Sequence, residues 1–190
     1  ALLKTQVGVG MREPGTAAKE EALAAADKSV DGMARLSNQL LSLARAEQGS
    51  SSLMKSAVDV QAVARDALEG LTQSALSRDI DLGFEAGEGE FVVWGHPTLL
   101  RELVVNLVDN ALRYTPRRGS VTARISREGE AILLQVEDTG PGIAEVDREK
   151  VFERFYRSAE AGGDRTGLGL AIVREIVSSH DGEGGRSWRQ

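Results

Sequence analysis

The sequence contains no cysteine. Disulfide bonds, zinc–thiolate sites and thiol catalysis are therefore excluded. No apolar run approaches the roughly 20 residues that a membrane-spanning helix needs. An excess of positive charge is also lacking, because 23 basic residues face 29 acidic ones and the net charge is -6. This balance argues against a general nucleic-acid-binding protein, so we expect no nucleic-acid partner.

The length of the chain, 190 residues, is enough for one full core plus a smaller element. No initiator methionine and no signal peptide open the sequence, which begins inside an amphipathic pattern at Ala1. We therefore expect the chain to be a piece of a longer protein.

The N-terminal part carries two amphipathic helical patterns. The first is short and is broken by Glu13-Pro14-Gly15, and the second runs from Thr16, a suitable N-cap, through about Glu47. Two helices around a tight turn form an antiparallel hairpin over residues 1–48, with an apolar stripe too long to cover itself. We expect a second copy to cover it, which gives a homodimeric four-helix bundle. The alternative is a helical extension packed on its own domain.

Residues 55–190 are predicted to form a second domain after a flexible linker at 49–54. Asp59 is a suitable cap for a helix with an amphipathic pattern. The predicted strands are Ile80–Ala86, Phe91–Trp94, Ser120–Ser126 and Ala131–Val136, with a helix ahead of Thr115-Pro116. This order predicts an α/β sandwich with helices on one face of a mixed sheet. The whole chain is then of the α+β class.

The predicted helix ahead of Thr115 carries Asn106, Asn110 and Arg113 at spacings of four and three residues, so the three share one face. Two carboxamides and a guanidinium in line suit a hydrated divalent cation and the phosphates it bridges. An amide oxygen, such as that of Asn110, is chemically adequate as a Mg²⁺ ligand.

Two further segments indicate a ligand. The strand Ala131–Val136 leads into a turn from Asp138 to Ile143, where glycines allow the backbone to approach a ligand closely. A charged segment at 144–165 follows, and loops of this length inside a compact domain are usually functional. The segment Gly167–Val173 then begins a helix whose first N–H groups have the common geometry for holding phosphate.

Four segments, in this order and with compatible spacing, resemble the N, G1, F and G2 boxes of one known domain. They are Asn106–Tyr114, Asp138–Gly142, Phe152–Arg157 and Thr166–Leu170. The domain is the ATP-binding domain of sensor histidine kinases, in the group that includes gyrase, the Hsp90 chaperones and MutL. The N-terminal hairpin resembles the dimerisation and phosphotransfer domain of the same kinases, without its acceptor histidine.

The resemblance implies ATP and Mg²⁺ as cofactors. Asp138 would accept a hydrogen bond from the adenine amino group, Ile143 would pack beside adenine, and Asn110 would be the magnesium ligand. Asn106 and Arg157 would take part in catalysis, with Arg157 reaching the terminal phosphate and Asn106 also lining the nucleotide site. The other implied nucleotide contacts are Arg113, Tyr114, Gly140, Gly142, Thr166, Gly167, Leu168, Gly169 and Leu170, and the segment 144–165 would be the ATP lid.

Several residues in and near these segments could have purely structural roles instead. Asp138 on its own could form an Asx turn before Gly140. Glu102 is expected to be a solvated charge or an ion-pair partner. His96 lies where the resemblance leads us to expect an acidic residue, so it is interpreted as a helix-start or surface group. His180 is expected to end the last helix, near its negative pole.

Other features bear on the resemblance. Phe152 and Phe155 are expected to anchor the lid on the domain. Arg165 lies where the family has its first glycine of the G2 box. The residues after Gly182 do not match the strands that close the family's sheet, so we expect an exposed sheet edge and an incomplete copy of the domain.

The predicted function is that of the cytoplasmic core of a two-component sensor histidine kinase, part of a bacterial inner-membrane protein and membrane-bound only through segments outside this chain. It would pass the ATP γ-phosphoryl to a histidine absent from this sequence and then to an aspartate of a response regulator receiver domain. Self-phosphorylation is not expected. Asn106 disfavours a gyrase-type ATPase, because the ATP-hydrolysing relatives have glutamate there and an amide cannot act as a general base. The alternative is a non-catalytic nucleotide-binding dimerisation module.

Overall fold

The computed structural model describes residues 16–47, 54–157, 166–180 and 182. The elements are α1 (Thr16–Glu47), β1 (Ser56–Asp59), α2 (Val60–Ser77), β2 (Asp81–Ala86), β3 (Val92–Gly95), α3 (Pro97–Tyr114), β4 (Ser120–Glu128), β5 (Ala131–Asp138), short 3₁₀ turns at Glu145–Asp147 and Lys150–Phe152, and α4 (Gly169–Ser179). In this part of the chain no helix is long and apolar enough to cross a membrane.

The chain separates into two compact units, residues 1–41 and 42–190. The boundary falls inside α1, whereas the sequence led us to place it after residue 48, and the division into domains stays a prediction. In the first unit the helix predicted from Thr16 to about Glu47 is confirmed. Its exposed apolar side chains include Leu23, Val30, Met33 and Leu40. The shorter helix predicted before Glu13 lies outside the described residues.

The first strand of the second unit was not predicted from the sequence. Strand β1 has four residues and pairs antiparallel with β3, with Ala57 opposite Trp94. The last residue of β1, Asp59, also caps α2, because its Oδ1 accepts hydrogen bonds from the N–H groups of Gln61 at 2.9 Å and Ala62 at 3.2 Å. The predicted cap is confirmed.

A mixed three-stranded sheet forms one layer of this unit, and its strand order is β2-β4-β5. Strand β2 runs parallel to β4, and β4 runs antiparallel to β5. Alternate residues Val121, Ala123 and Ile125 of β4 are buried, as expected for a strand with one face against a core. The sequence placed β3 in the same sheet, but it belongs to the two-stranded sheet with β1.

The helices form the other layer. Helix α2 packs on α3 and β2, and α3 packs on α4, β4 and β5. The fully buried side chains at the centre of this packing include Phe91, Leu99, Leu112, Ile125, Ile172 and Ile176. Each contributes about 1.5–3 kcal/mol by leaving water. Since α3 contacts both of the other helices in this layer and two strands of the sheet, the core fixes the position of the helix that carries the asparagines.

Candidate nucleotide-binding site

The middle of α3 faces the beginning of α4. The Nδ2 group of Asn106 donates a hydrogen bond to the Glu102 carbonyl oxygen at 2.8 Å, one turn earlier. Its Oδ1 points the other way, and a Cβ placed on Gly169 would lie 3.5 Å from that oxygen. The first turn of α4 has no acidic residue and its N-cap residue makes no side-chain hydrogen bond. Asn106 therefore lies beside a helix start with available N–H groups.

The next turn of α3 carries Asn110 and Arg113, both half-buried. The Nη2 atom of Arg113 forms an ion pair with Asp109 Oδ2 at 2.7 Å. Its Nε is buried and has no hydrogen-bond partner among the described residues. A buried N–H without a partner is costly, so this donor fits an anion that the chain itself does not supply.

Glu102 is half-buried, and one of its two carboxylate oxygens, Oε2, is buried without a hydrogen-bond partner within the described ranges. The expectation of a solvated charge or an ion-pair partner stays a prediction. Packing of α3 against α4 explains the burial, because Glu102 lies one turn before Asn106 on the same helix.

The turn after β5 has the geometry of an Asx turn. Asp138 Oδ1 accepts a hydrogen bond from the Gly140 N–H at 2.8 Å. The side chain is exposed in the described part of the chain. The Asx turn uses one oxygen only, and the described residues give Oδ2 no hydrogen bond, so Asp138 keeps an acceptor for a ligand.

The same turn packs on the end of α3. A Cβ on Gly140 would lie 3.1 Å from the Tyr114 carbonyl oxygen. Gly142 adopts φ +75°, a left-handed conformation that favours glycine, and a Cβ there would meet open space. Ile143 is half-buried, and its carbonyl oxygen accepts a hydrogen bond from Arg148 Nε at 3.3 Å.

The segment after the turn is held by a pair that the sequence analysis missed. The Tyr156 hydroxyl donates a hydrogen bond to Asp147 Oδ1 at 2.6 Å. This hydrogen bond, with smaller contributions from burial and from the charge of Asp147, raises the pKa of Tyr156 above its usual range. The two residues join the first 3₁₀ turn to the F-box segment, and the eight residues between them carry no regular pattern from which the contact could be predicted.

The two F-box phenylalanines have different roles. Phe152 is half-buried, but the Phe155 side chain is 63% exposed, so the prediction that both rings anchor the lid is wrong for Phe155. The backbone explains the exposure, because Phe155 adopts φ +62° and its N–H donates to the Gly167 carbonyl oxygen at 2.9 Å. The anchor at this position is therefore the main chain.

The G2 segment closes on that main chain. Gly167 adopts φ +67°, and a Cβ there would lie 2.7 Å from both the Phe155 carbonyl carbon and the Tyr156 carbonyl oxygen. Leu168 is fully buried, so only its backbone is available to a nucleotide. Its N–H donates to Thr166 Oγ1 at 3.4 Å. Helix α4 begins at Gly169, two residues after the predicted start.

The structure thus brings four predicted segments together through three close approaches. They are Asn106 with Gly169, Tyr114 with Gly140, and Phe155 with Gly167. Arg157 is exposed, Leu170 is half-buried, and residues 158–165, including Arg165, lie outside the described residues. Among the described residues no group of three or more histidine, aspartate or glutamate side chains could hold a metal ion. A metal here would need ligand oxygens from the nucleotide itself.

The comparisons with known proteins agree with this geometry. Residues 95–189 match the family described as "Histidine kinase-, DNA gyrase B-, and HSP90-like ATPase". Over 183 residues the chain is 36% identical to the sensor protein kinase PmrB of Pseudomonas aeruginosa. The aligned region covers 96% of this chain and 38% of PmrB. The family match begins at Gly95 and includes the four segments described above.

Solved structures give the same result. The mycobacterial sensor histidine kinase MprB is 33% identical, with a TM-score of 0.58 over 67% of this chain and 81% of that one. Full-length ShkA, in complex with AMPPNP, has a TM-score of 0.72 at 24% identity and covers 97% of this chain and 40% of that one, a likeness of fold alone.

The chain belongs to the histidine kinase-, DNA gyrase B- and HSP90-like ATPase family. Within that family its homologues are sensor histidine kinases. The chain spans little more than a third of the length of the first curated relatives that it matches.

Proposed function

We propose that this chain is the ATP-binding core of a two-component histidine kinase, which transfers the γ-phosphoryl of ATP to a histidine and then to an aspartate of a response regulator receiver domain. The observation that carries the proposal is the convergence of the four segments. Three close approaches link α3, which carries the N box, with the G1 turn, the F box and the G2 segment.

The adenine end of the site is proposed to be the G1 turn. Asp138 Oδ1 is used by the Gly140 N–H, and Oδ2 is left to accept a hydrogen bond from the exocyclic amino group of adenine. Ile143 follows the turn as a half-buried apolar surface on which the base would pack. An amino group in this position distinguishes adenine from guanine, because guanine presents a carbonyl oxygen there.

The phosphate end is proposed to lie between α3 and the start of α4. Among the described residues Arg113 Nε is a buried donor without a hydrogen-bond partner, and no side-chain cap occupies the first N–H groups of α4. Arg157 would add a second cation for the terminal phosphate. Asn110 would hold Mg²⁺, which when bound supplies charge neutralisation and orientation to the phosphate oxygens. The residues present fit these groups.

Asn106 is proposed to favour transfer over hydrolysis. Its Nδ2 is held by the Glu102 carbonyl oxygen and its Oδ1 faces Gly169, so the carboxamide is fixed in the wall of the site. A carboxamide has no basic group with which to activate water. The site therefore positions ATP for an incoming side chain, and slow steady-state release of phosphate is expected.

Neither histidine of this sequence is proposed to be the acceptor. His96 is 2% exposed at the start of α3, and His180 is hydrogen-bonded through both ring nitrogens. The 190-residue chain should therefore not phosphorylate itself. A separately supplied acceptor domain of a related kinase should be labelled from γ-labelled ATP only when this chain is present.

The assembly is also proposed. The exposed apolar side chains of α1 suit packing against a second copy, which supports a homodimer through the N-terminal helices. A receiver domain would then be the second partner, and the chain would be the cytoplasmic portion of a bacterial membrane-bound sensor. Sedimentation of the chain over a range of concentrations tests the dimer.

The experiment that tests the nucleotide site is calorimetric titration with Mg·ATP on the chain and on Asp138→Asn. The substitution keeps an Oδ1 acceptor for the Gly140 N–H but places an amide where the adenine amino group would donate, so we expect affinity to fall at least about tenfold, or 1.4 kcal/mol. Asp81→Asn is the matched control, since Asp81 is an exposed aspartate on β2, which β4 separates from β5 in the sheet. Equal affinity in Asp138→Asn and the unsubstituted chain would reject the proposal.

A further inference from the structure

The chain's two histidines lie against each other at the end of α3 and α4 that is remote from the candidate site. Their ring centroids are 5.5 Å apart and the ring planes make an angle of 76°, an edge-to-face arrangement. His96 is the N-cap residue of α3, and His180 is the C-cap residue of α4. The expectation that His96 is a helix-start residue is confirmed, whereas a surface location is wrong because it is buried.

The hydrogen bonds define the protonation state of His180. Its Nε2 accepts a hydrogen bond from the His96 backbone N–H at 3.0 Å, so this nitrogen carries no proton. Its Nδ1 lies 2.8 Å from the Ile176 carbonyl oxygen, which can only accept, so Nδ1 carries the proton and donates. The contact between the helices therefore requires neutral His180. Protonation of Nε2 would leave two donors facing each other, the Nε2–H group of His180 and the backbone N–H of His96.

The His180 ring packs directly against Gly95, at a position where any larger residue would clash with it. A Cβ on Gly95 would lie 2.6 Å from His180 Cδ2 and 2.8 Å from Nε2. Gly95 ends β3 and is buried, so the strand and α4 meet here without a side chain between them. The ring has no room to move toward β3 when its hydrogen bond is lost.

Burial makes protonation of the His96 ring unfavourable. Both of its nitrogens are buried, and no hydrogen bond of normal geometry reaches them from the described residues, although the nearby Met54 backbone slightly favours the charged form. Burial, then the charge of His180, and last that of Lys55 lower the pKa of His96. The other charged groups on the packed elements are Asp59 on β1, Arg101, Glu102, Asp109 and Arg113 on α3, and Arg174 and Glu175 on α4. Arg101 is paired with Asp66 and Arg113 with Asp109, and within the described ranges no ion pair joins a carboxylate to either histidine.

Two contacts set the register of α3 against α4. At one end His96 meets His180, and at the other end Asn106 meets Gly169. The helices are therefore antiparallel along their contact. Opening the histidine end lets α4 tilt or slide relative to α3, and the start of α4 moves with it because a helix is stiff over its 11 residues.

We propose that His96 and His180 form a pH-sensitive clamp: protonation of His180 breaks its bond to the His96 N–H, loosens α4 from α3 and weakens nucleotide binding at the opposite end of the two helices. His180 is a positioning residue in this scheme, and it touches no nucleotide. The inference rests on the proposed nucleotide site, which supplies its functional readout. Acidification of the surrounding solution would then reduce the kinase reaction.

The test is calorimetric titration with Mg·ATP at about pH 7.5 and about pH 5.5, on either side of the ordinary histidine pKa of about 6.5. The matched variant is His180→Gln, whose Oε1 keeps an acceptor near the position of Nε2 and cannot titrate. We expect the affinity of the unsubstituted chain to fall at least about fivefold more than that of His180→Gln, the lower end of typical coupling between sites. Protonation of ATP itself affects both proteins equally.

A second variant, His180→Leu, lacks the acceptor at every pH. We expect it to remain folded by circular dichroism and to bind Mg·ATP at the higher pH as weakly as the unsubstituted chain does at the lower pH. Parallel loss of affinity with pH in the unsubstituted chain and His180→Gln would overturn the clamp. So would full affinity in His180→Leu.

Amide hydrogen exchange separates failure of the clamp from failure of the proposed function. If no protein binds nucleotide at either pH, the proposed site is wrong, but the His96 N–H still reports its hydrogen bond to His180. The clamp predicts that protection of this amide, corrected for intrinsic exchange, falls with acidification in the unsubstituted chain and persists in His180→Gln. Equal protection of the two proteins at the lower pH would reject it.

Discussion

Gly140 lies so close to Tyr114 that the two residues fix the G1 turn on the end of the N-box helix. A Cβ on Gly140 would be 3.1 Å from the Tyr114 carbonyl oxygen and 2.6 Å from Asp138 Oδ1. The first atom belongs to backbone, which cannot rotate away. The position of Asp138 relative to α3 therefore depends on the absence of one methyl group.

Replacing Gly140 by alanine should displace the turn from α3 and weaken Mg·ATP binding by about tenfold or more, or 1.4 kcal/mol. Titration calorimetry measures this. Gly87→Ala is the control, because its Cβ would find Ile125 O and the Phe91 ring at the ordinary distances of 3.6 Å and 3.7 Å, and its affinity should not change. Undiminished binding by Gly140→Ala would show that the turn is not part of the site.

Replacing Gly167 by alanine should destabilise the fold through both conformation and contact. A non-glycine residue in the left-handed region costs about 1–2 kcal/mol, and here a Cβ would also meet the Phe155 and Tyr156 backbone at 2.7 Å. Gly129→Ala separates the two causes, since Gly129 has φ +62° with nothing near its Cβ position. In urea unfolding, Gly167→Ala should lose more stability than Gly129→Ala. Equal losses would mean that the contact is relieved at no cost.

The Tyr156–Asp147 hydrogen bond predicts a high phenol pKa that can be observed directly. The sequence contains two tyrosines, so phenolate absorbance has two components. The one that titrates at the higher pH should vanish in Tyr156→Phe. It should return toward the ordinary tyrosine value in Asp147→Ala, because this substitution removes the acceptor and therefore the largest cause of the shift. An unchanged titration in Asp147→Ala would contradict the pairing. A folded-state pKa above the unfolded value also means that this contribution to stability is present below about pH 10 and is lost above it.

Burial of His96 predicts the opposite dependence on pH. Its folded-state pKa lies below the unfolded value of about 6.5, so the unfolded chain binds more protons as the pH falls through this range. Its contribution to stability should be complete above about pH 6.5 and should decline as the pH falls through the folded-state pKa. Urea unfolding at several pH values measures the slope. His96→Asn, which can still cap α3 and cannot titrate, should flatten it, and an unaltered slope would assign the effect to other groups.

Local chemistry made much of the fold predictable. Asp59 caps α2 through atoms two and three residues away, and the limits of α3 follow from Pro97 and Thr115-Pro116. Strand β1 was missed because four residues with one buried side chain carry too little alternation to recognise. The pairing of β3 with β1, rather than with β2, is decided by contacts distant in sequence.

The candidate site, like the fold, could be predicted only in part from the sequence. The spacing of Asn106, Asn110 and Arg113 on one helix could be predicted, since helix geometry alone determines it. The contact between His96 and His180 joins residues 84 positions apart, and no local pattern encodes it. The exposure of the Phe155 ring follows from a positive φ, which a sequence motif does not reveal for a residue other than glycine.

The parallel pairing of β2 with β4 has a consequence for how this protein folds. The chain between these strands contains β3 and α3, so the helix with the asparagines is itself part of the crossover connection. A parallel pair can form only after its crossover is in place, and such non-local pairing folds slowly. The G1 turn ends β5, which pairs with β4, so the candidate site is complete only once this sheet has formed. Partial unfolding of the sheet would separate the G1 turn from α3.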